Sequence, residues 1–365
     1  MSTFLITGGA GFIGSHLTEK LLELEEKVLV LDDLSSGSVR NIAHLRSHPK
    51  LEFQAGSILE RGLLREMVDA ADIVVHLAAT VGVLKIIESP VTTIQNNVGG
   101  TEAVLEAAAK KRKKVIVAST SEVYGKSTEP VFREDGDLVF GPTSKSRWSY
   151  ASSKVLGEFL TLAYWKEHRV PTVIVRLFNT IGPRQTGRYG MVVPRFLRQA
   201  FSGQNLTVYG TGQQSRCFTY VADVVEWLLL LAANDKAVGE VFNLGNPEEV
   251  TINELARRII ELSAAPVGID HIPYSEAYEE GFEDMERRVP DITKVRTLTG
   301  YSPRYSLDEA LRLTRDWFVT EKILEESSTF QYGLAQLEGV PHSAASIDTS
   351  EPGRGGWFGR RSRPS

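Results

Sequence analysis

The sequence predicts an α/β fold, a doubly wound parallel sheet with a smaller mixed α/β portion at its carboxyl edge. Short apolar runs without polar alternation recur through the first half of the chain, and segments of helical period separate them. Continuous apolar runs are typical of strands covered on both faces, and their alternation with helices indicates parallel strands. After about residue 179, closely spaced glycines and prolines divide the chain into shorter elements.

The first apolar run, residues 4–7, opens the predicted sheet, and Ile13, Leu17 and Leu21 follow it at helical spacing. Further strands are predicted at residues 28–31, 51–53, 73–75, 115–117 and 173–175. Helices are predicted at residues 12–24, 63–70, 91–110, 150–168, 221–233, 251–263 and about 306–323. Ser306 is the expected N-cap of the last helix.

Composition and charge exclude several classes of protein. The 365 residues include 42% hydrophobic and 24% charged side chains, which is ordinary globular composition and excludes a disordered chain. A net charge of −5 argues against a nucleic-acid-binding protein, and the single cysteine, Cys217, fits a reducing compartment. No apolar run is long enough to span a membrane, and the seven histidines lack metal-ligand spacing. We therefore expect a cytoplasmic protein without a metal site, a membrane partner or a nucleic-acid partner.

A glycine-rich turn links the first strand to the first helix. Gly8 permits a tight turn, Gly11 lets the backbone approach a pyrophosphate, and Gly14 allows the helix to pack closely on the strand. Asp32 follows Gly14 by 18 residues, close to the spacing of about 20 expected for a carboxylate that binds the adenosine ribose. The pattern predicts a Rossmann-like dinucleotide site. It favours NAD over NADP because Asp32 would repel a 2′-phosphate.

A second signal is a tyrosine and a lysine at helical spacing. Tyr150 and Lys154 are four residues apart, so both project from one face of a helix that is predicted to begin at Tyr150. An ammonium beside a phenol favours the phenolate, which predicts a lowered pKa for Tyr150 and a role as a base. The fifth strand ends in Thr120-Ser121-Glu122, where further polar groups would meet the same site.

The chain resembles the extended short-chain dehydrogenase/reductases, and among them the nucleotide-sugar epimerases, dehydratases and decarboxylases. The resemblance covers about residues 2–325. Its carriers, besides the glycine turn and the Tyr150/Lys154 pair, are His76-Leu77-Ala78-Ala79, Asn97, Ser119-Thr120-Ser121-Glu122, Arg176-Leu177-Phe178-Asn179-Thr180, Gly182-Pro183-Arg184, Leu206-Thr207-Val208-Tyr209-Gly210 and Arg288-Val289-Pro290-Asp291.

The resemblance implies NAD as the cofactor and assigns roles to individual residues. The tyrosine would take the proton of the sugar 4-hydroxyl, the lysine would hold the cofactor ribose, and Thr120 would share the hydrogen bond to O4. The implied catalytic residues are Thr120, Glu122, Tyr150, Lys154 and Arg216. The implied cofactor-binding residues are Gly8, Gly11, Phe12, Ile13, Gly14, Asp32, Ser57, Ile58, Leu77, Ala78, Ala79, Asn97, Tyr150 and Lys154. The implied substrate-binding residues are Ser121, Asn179, Arg184, Val193, Thr207, Tyr209, Arg216 and Arg288. One departure is Ser57, which stands where the family usually has an aspartate that faces adenine.

The residues beside Thr120 bear on the choice of reaction. Glu122 suggests proton transfer near C5 or C6, and the Thr-Ser-Glu run is similar to UDP-glucuronate decarboxylases, with Arg216 and Glu122 expected to flank C5 and C6. The 4-epimerases remain an alternative, because the loop 184–191 differs from the decarboxylase loops. Nucleotide-sugar 4,6-dehydratases rank third. Ser121 replaces the catalytic aspartate of the dTDP-glucose dehydratases, whereas the GDP-mannose 4,6-dehydratases share the Thr-Ser-Glu run. The intact Thr120, Tyr150 and Lys154 set argues against a non-catalytic NAD-binding scaffold.

The expected domain organisation follows from these assignments. Residues 1–178 would form the NAD-binding domain with the Tyr/Lys helix, and residues 179–325 would mainly bind the nucleotide sugar, with UDP as the expected nucleotide. Residues 326–365 are rich in Ser, Gly and Pro and would form a flexible tail. The resemblance also implies a homodimer, formed through the helices predicted at 91–110 and 150–168.

Overall fold

The computed structural model describes residues 1–81, 89–187, 191–277 and 285–321. Its strands are β1 Thr3–Thr7, β2 Lys27–Asp32, β3 Leu51–Ala55, β4 Ile73–His76, β5 Lys114–Thr120, β6 Thr172–Leu177, β7 Thr180–Ile181, β8 Leu206–Tyr209, β9 Ser215–Cys217, β10 Thr219–Tyr220, β11 Val241–Leu244, β12 Glu249–Thr251 and β13 Ile269–Ile272. Its helices are α1 Phe12–Glu23, α2 Arg61–Ala70, α3 Pro90–Ile94, α4 Gly100–Ala109, α5 Arg147–His168, α6 Val192–Phe201, α7 Val221–Ala232, α8 Ile252–Ser263, α9 Tyr274–Ala277, α10 Thr293–Thr299 and α11, residues 307–321.

Seven parallel strands form the central sheet, in the order β11-β6-β5-β4-β1-β2-β3. From β1 the strand order runs outward to β2 and β3, and from β4 it runs outward to β5 and β6 on the other side. The crevice at which open α/β sheets bind ligands lies between β1 and β4, where the strand order reverses. The predicted doubly wound fold is confirmed. The seventh strand, β11, comes from beyond residue 179, so both parts of the chain build this sheet.

Apolar side chains on alternate positions of each strand supply the two faces of the sheet. On β2, Val28 and Val30 pack with α1 and α7, whereas Leu29 and Leu31 pack with α2 and α4. Successive strand residues point to opposite faces, so a strand covered on both sides must be apolar throughout. The apolar run 28–31 therefore contributes side chains to two hydrophobic cores, one on each face of the sheet.

A third core lies beyond the sheet, between α6, α8, α11 and strand β8. Residues 1–319 pack as one compact unit. Ser306 caps α11 as predicted, since its Oγ accepts the backbone N–H of Glu309 at 3.3 Å. The predicted tail, residues 326–365, lies outside the described residues, as do residues 188–190 of the loop that distinguished the decarboxylase from the epimerase interpretation.

Two predicted helices differ in detail from the structure. The helix expected to begin at Tyr150 begins at Arg147, so Tyr150 already lies in helical backbone. The helix expected at 91–110 is divided by a π-helical turn, Gln95–Gly99, between α3 and α4. π-Turns often occur at functional sites because the extra residue redirects side chains. Among the described residues, no helix combines the length and the apolar character that crossing a membrane requires.

The buried Asp223 on α7 attaches the segment that precedes α11. Its Oδ1 accepts the Tyr301 hydroxyl at 2.6 Å and the Arg304 backbone N–H at 3.0 Å. Such contacts fully satisfy a buried carboxylate, which would otherwise carry a large desolvation cost.

Candidate active site

A cavity of about 390 Å³ lies at the carboxyl ends of the sheet strands. Its wall contains the predicted cofactor residues Gly8, Gly11, Phe12, Ile13, Gly14, Asp32, Ser57, Ile58, Leu77, Ala78, Ala79, Tyr150 and Lys154. It also contains the predicted catalytic residues Thr120 and Glu122 and the predicted substrate residues Asn179 and Val193. Sequence positions separated by more than a hundred residues therefore meet in one cleft.

The glycine turn has the close approaches that its sequence predicted. Gly8 has a φ of +76°, and a Cβ at this position would lie 2.8 Å from the Ala78 backbone nitrogen. A Cβ on Gly14 would lie only 2.2 Å from the Gly8 carbonyl oxygen. Because the glycines of this turn carry no side chains, the N-terminus of α1 opens directly onto the cavity. The turn fits a dinucleotide pyrophosphate, which binds backbone N–H groups and the positive end of the helix dipole.

The carboxylate of Asp32 is held rigidly at the end of β2. Its Oδ2 accepts the Ala10 N–H at 2.9 Å, and its Oδ1 accepts the Leu34 N–H at 2.8 Å. Burial raises the pKa of Asp32 above its ordinary value, against the effect of these backbone hydrogen bonds. The carboxylate lines the cavity at the end of β2, and its contact with the cofactor ribose stays a prediction.

Tyr150, Thr120 and Lys154 converge on the cavity from α5 and the end of β5. The Thr120 side chain hydrogen-bonds the Tyr150 hydroxyl. The Lys154 Nζ donates to the Ala118 carbonyl at 3.0 Å. Tyr150 and Lys154 are 8% and 7% exposed, so both polar groups are nearly removed from solvent.

The expected lowering of the Tyr150 pKa is wrong for this structure. Burial raises the pKa of Tyr150 far above its ordinary value, and the nearby Glu122 carboxylate adds to the rise. Burial also lowers the pKa of the Lys154 ammonium to about 8. The sequence spacing showed the lysine that would lower the pKa of the phenol. It showed neither the burial of the phenol nor the nearby Glu122 carboxylate, both of which raise that pKa.

Glu122 contacts an arginine from a distant part of the chain. The Arg288 Nη1 lies 3.6 Å from the Glu122 Oε1, and the two side chains are 7% and 17% exposed. Arg216, which was expected to flank C5 and C6 of the sugar together with Glu122, lies buried on β9. Its Nη1 donates to the carbonyls of Ser215 and Glu286, at 2.7 and 3.4 Å. The structure thus brings Arg288 against the Glu122 carboxylate.

Asn97 lies behind the cavity wall, within the π-helical turn. Its Oδ1 accepts the Thr80 N–H at 2.8 Å, and its Nδ2 donates to the Ser153 Oγ at 3.1 Å. Thr80 lines the cavity, and Ser153 precedes Lys154 on α5. The structure therefore gives Asn97 a supporting place, between two elements that line the site.

Several predicted substrate residues make other contacts. Arg184 has a left-handed backbone and forms an ion pair with Glu19 at 2.6 Å. The Thr207 Oγ1 accepts a hydrogen bond from the Gln199 Nε2. The Arg195 Cζ lies 4.2 Å from the centroid of the Tyr209 ring. Ser121 is buried in the single turn that follows β5. The cavity wall includes Gln185 and Met191, which belong to the loop 184–191 that the sequence singled out without assigning a role to either residue.

Comparisons with known proteins agree with this geometry. Residues 4–245 match the model of the NAD dependent epimerase/dehydratase family. The chain is 44% identical to a UDP-N-acetyl-alpha-D-glucosaminuronate decarboxylase of Bacillus cytotoxicus, over 86% of this chain and 97% of that one. It is 36% identical to UDP-glucuronic acid decarboxylase 1 of Danio rerio, over 90% of this chain and 75% of that one.

Solved structures give the same result. An epimerase from Methanothermobacter thermautotrophicus superimposes with a TM-score of 0.81 at 31% identity, over 90% of this chain and 95% of that one. The UDP-glucuronic acid 4-epimerase of Bacillus cereus gives a TM-score of 0.78 at 31% identity, over 87% of this chain and 99% of that one. With the dinucleotide cradle, the buried tyrosine–lysine pair and these matches together, the chain belongs to the NAD-dependent epimerase/dehydratase family of extended short-chain dehydrogenase/reductases.

Proposed function

We propose that this enzyme decarboxylates a UDP-linked hexuronate through a 4-keto intermediate. The observation that carries the proposal is the charge arrangement at the end of β5, where Glu122 and Arg288 lie beside Tyr150 and Thr120. Simple oxidation and reduction at C4 need only the tyrosine, the lysine and the hydroxyl. A carboxylate paired with a guanidinium adds groups that can handle a charged substituent and a proton near C5 and C6.

The chemistry follows from the residues in the cavity. Tyr150 accepts the proton of the sugar 4-hydroxyl, with Thr120 hydrogen-bonded to the same centre. NAD held by the glycine turn, Asp32 and Lys154 would supply the acceptor for the C4 hydride, and its positive charge would favour the phenolate form of Tyr150. The C4 ketone makes the C6 carboxylate part of a β-keto acid, so the C5–C6 bond breaks, carbon dioxide leaves and the electron pair forms an enolate at O4.

Protein groups then stabilise and quench this enolate. The Tyr150 hydroxyl, which holds its proton strongly in this buried site, donates a hydrogen bond to O4 and stabilises the developing charge. We assign Glu122 to proton delivery at C5. Arg216 and Arg288 are the proposed ligands of the substrate anions, because guanidinium groups pair bidentately with phosphate and carboxylate oxygens.

The comparisons support two substrates. The Bacillus cytotoxicus relative, at 44% identity, is named for a UDP-N-acetylglucosaminuronate, whereas relatives at 35–37% are named for UDP-glucuronic acid. These sugars share the C6 carboxylate and differ at C2. Purified enzyme should be incubated with NAD and each sugar, with carbon dioxide and the nucleotide sugar measured together. Carbon dioxide supports the proposal when it appears with a UDP-4-keto-pentose and reduced nicotinamide, or with a UDP-pentose if the nicotinamide returns its hydride to C4. Complete conversion to the C4 epimer without gas would replace the proposal by 4-epimerisation.

The Glu122→Gln variant tests the role of the carboxylate. We expect decarboxylation to fall about 10²-fold, since amide and carboxylate have the same shape but only the carboxylate transfers a proton. Glu129→Gln is the matched control, because Glu129 is exposed on the following loop. Full carbon dioxide release by the Glu122 variant would remove Glu122 from the mechanism.

We also propose that the enzyme is a cytoplasmic homodimer. Apolar side chains are exposed on α3 and α5, which pack against each other: Val91 (66%), Ile94 (42%), Leu156 (50%) and Phe159 (66%). Exposed apolar groups on neighbouring helices are typical of a surface that a second copy covers. The reducing cytoplasm suits a chain whose single cysteine is a buried free thiol.

Substitution of Phe159 by glutamate should therefore turn a dimer into a monomer. The mass is measured by light scattering at micromolar concentration. Leu24→Glu, at the exposed end of α1, is the control and should leave the dimer intact. A monomeric wild-type enzyme, or a Phe159 variant that stays dimeric, would contradict this surface assignment.

A further inference from the structure

Behind the cavity, four buried polar side chains take no part in the steps above. These are Glu158, Arg176, Tyr124 and Asn243, which we call the buried network. Glu158 and Arg176 form an ion pair, with Arg176 Nε donating to Glu158 Oε1 at 3.0 Å and Nη2 donating to Oε2 at 2.8 Å. Both residues are 5% exposed, so solvent contributes little to stabilising their charges.

Tyr124 connects this ion pair to the edge of the sheet. Its hydroxyl accepts from the Arg176 Nη1 at 2.9 Å and donates to the Asn243 Oδ1 at 2.7 Å. The Tyr124 ring stacks on Phe132, with 4.6 Å between the ring centroids. Asn243 lies on β11, and its Nδ2 donates to the Phe132 carbonyl at 2.9 Å. Hydrogen bonds thereby connect α5, β6, the turn after β5 and β11 in one continuous network.

One end of the buried network reaches the cofactor side of the site. The Ser119 Oγ donates to the Glu158 Oε1 at 2.5 Å, and Ser119 immediately precedes Thr120. Glu158 lies one helical turn beyond Lys154 on α5. The carboxylate is thus bonded to the strand end that carries Thr120 and shares a helix with Lys154.

The other end reaches the segment that carries Arg288. The Phe132 N–H donates to the Val289 carbonyl at 2.8 Å, and the Asp291 N–H donates to the Phe132 carbonyl at 2.9 Å. The Asn243 Nδ2 also donates to the Asp291 carbonyl at 3.2 Å. The residues that directly follow Arg288 are therefore bound to the same network as Ser119.

Stability alone does not explain a buried ion pair of this kind. Well-packed apolar side chains of similar volume are often equally stabilising, because desolvation offsets most of the attraction between buried charges. Hydrogen bonds of fixed length and direction do something that apolar packing does not, since they define the relative position of the elements that they join.

We propose that the buried network holds the two parts of the site that it joins, Lys154 and Thr120 at one end and Arg288 at the other, at a fixed position relative to each other. Its members are positioning residues, because none of the four lines the cavity. The inference rests on the proposed function only in that a nucleotide sugar is oxidised at C4. Reactions are sensitive to such placement, and a displacement of about 1 Å can cost about 10²-fold in rate.

Tyr124→Phe is the sharpest test, because it removes one hydroxyl and keeps the stacked ring. We expect the rate of NAD reduction by saturating nucleotide sugar to fall about 10- to 100-fold. Tyr301→Phe is the matched control, since it also removes a buried tyrosine hydroxyl with a polar partner but lies at Asp223, away from the cavity. Both variants should lose similar thermal stability and keep the wild-type affinity for NADH, measured by its fluorescence.

A second variant, Glu158→Gln, adds a readout that a purely structural role would not move. Glu158 raises the pKa of the Lys154 ammonium, which burial lowers to about 8. Tyr150 lies one helical turn before Lys154 on α5. His76 also faces Lys154, and burial lowers the pKa of His76 to about 3, so this histidine is neutral. Removing the carboxylate should lower the pKa of Lys154 further. The alkaline limb of the pH profile of NAD reduction should therefore move to lower pH, with no such movement in Tyr301→Phe.

The outcomes separate this inference from the proposed function. If wild-type enzyme reduces NAD with a UDP-sugar but releases no carbon dioxide, the decarboxylase proposal fails while the network test proceeds unchanged. If Tyr124→Phe reduces NAD as fast as wild type, or loses no more rate than Tyr301→Phe, the positioning role is contradicted. An unmoved alkaline limb in folded Glu158→Gln enzyme would contradict the connection to Lys154.

Discussion

Replacing Tyr150 by phenylalanine should lower turnover by about 10²–10⁴-fold, the usual contribution of a general base. The phenol is the group in the cavity that meets Thr120 and lies near Glu122, and phenylalanine keeps its ring and packing. The variant should therefore fold and bind NADH like wild type. The loss should appear in the reduction of NAD as well as in product formation, since proton removal and hydride transfer occur in the same step.

The control for this variant is Tyr164→Phe. Tyr164 lies on the same helix, α5, with its ring against His168 at a centroid distance of 5.1 Å. It should keep full activity. Wild-type turnover in Tyr150→Phe would show that another group removes the proton, and the assignment of the whole site would have to change.

Gly14→Ala should abolish NAD binding or prevent folding. The new Cβ would lie 2.2 Å from the Gly8 carbonyl oxygen and 2.8 Å from the Gly9 Cα, and neither is a flexible side-chain end. The glycine turn must therefore shift, and with it the backbone N–H groups that we expect to bind the pyrophosphate. We expect NADH binding, measured by NADH fluorescence, to become too weak to detect. We also expect thermal unfolding to occur at a lower temperature than in the wild type.

Gly62→Ala provides the matched control on another helix. A Cβ on Gly62, in α2, meets no atom within 4 Å, so the substitution adds only helix propensity of up to about 1 kcal/mol. This variant should be as stable as wild type or slightly more stable. Normal NADH affinity in Gly14→Ala would contradict the placement of the pyrophosphate on this turn.

The sheet and the cofactor cradle could be predicted from sequence because their signals are local. The apolar run before Gly8, the glycine spacing and Asp32 all belong to one strand–helix–strand unit, whose geometry depends on neighbouring residues. The contribution of β11 could not be predicted in the same way. Its four residues, Val241–Leu244, pair with β6 only after a long connection through the smaller portion of the molecule.

The electrostatics of the site required the tertiary structure. The spacing of Tyr150 and Lys154 predicted a lowered pKa for the phenol, but burial and Glu122 raise it. The contact between Glu122 and Arg288 joins residues far apart in sequence, and nothing in their two motifs shows that the side chains meet. The ion pair of Arg184 with Glu19 is a further contact that the motif could not show, and its role as a substrate ligand stays a prediction.

The supporting residues behind the wall were harder still to recognise. Arg176 was visible as part of a family motif, but its partners Glu158 and Tyr124 come from a helix and a turn that pack together only in the folded chain. Burial of a charged side chain is a tertiary property, and a sequence shows only that the residue is charged.

Oxidation of the sugar at C4 before loss of the carboxylate is the central claim, and C4-deuterated UDP-hexuronate tests it most directly. Reduction of bound nicotinamide and release of carbon dioxide should be followed together in a single turnover. We predict that reduced nicotinamide forms before the gas, that deuterium slows its formation, and that the deuterium is transferred to the nicotinamide. Release of carbon dioxide at an unchanged rate, with no deuterium on the nicotinamide, would contradict the mechanism.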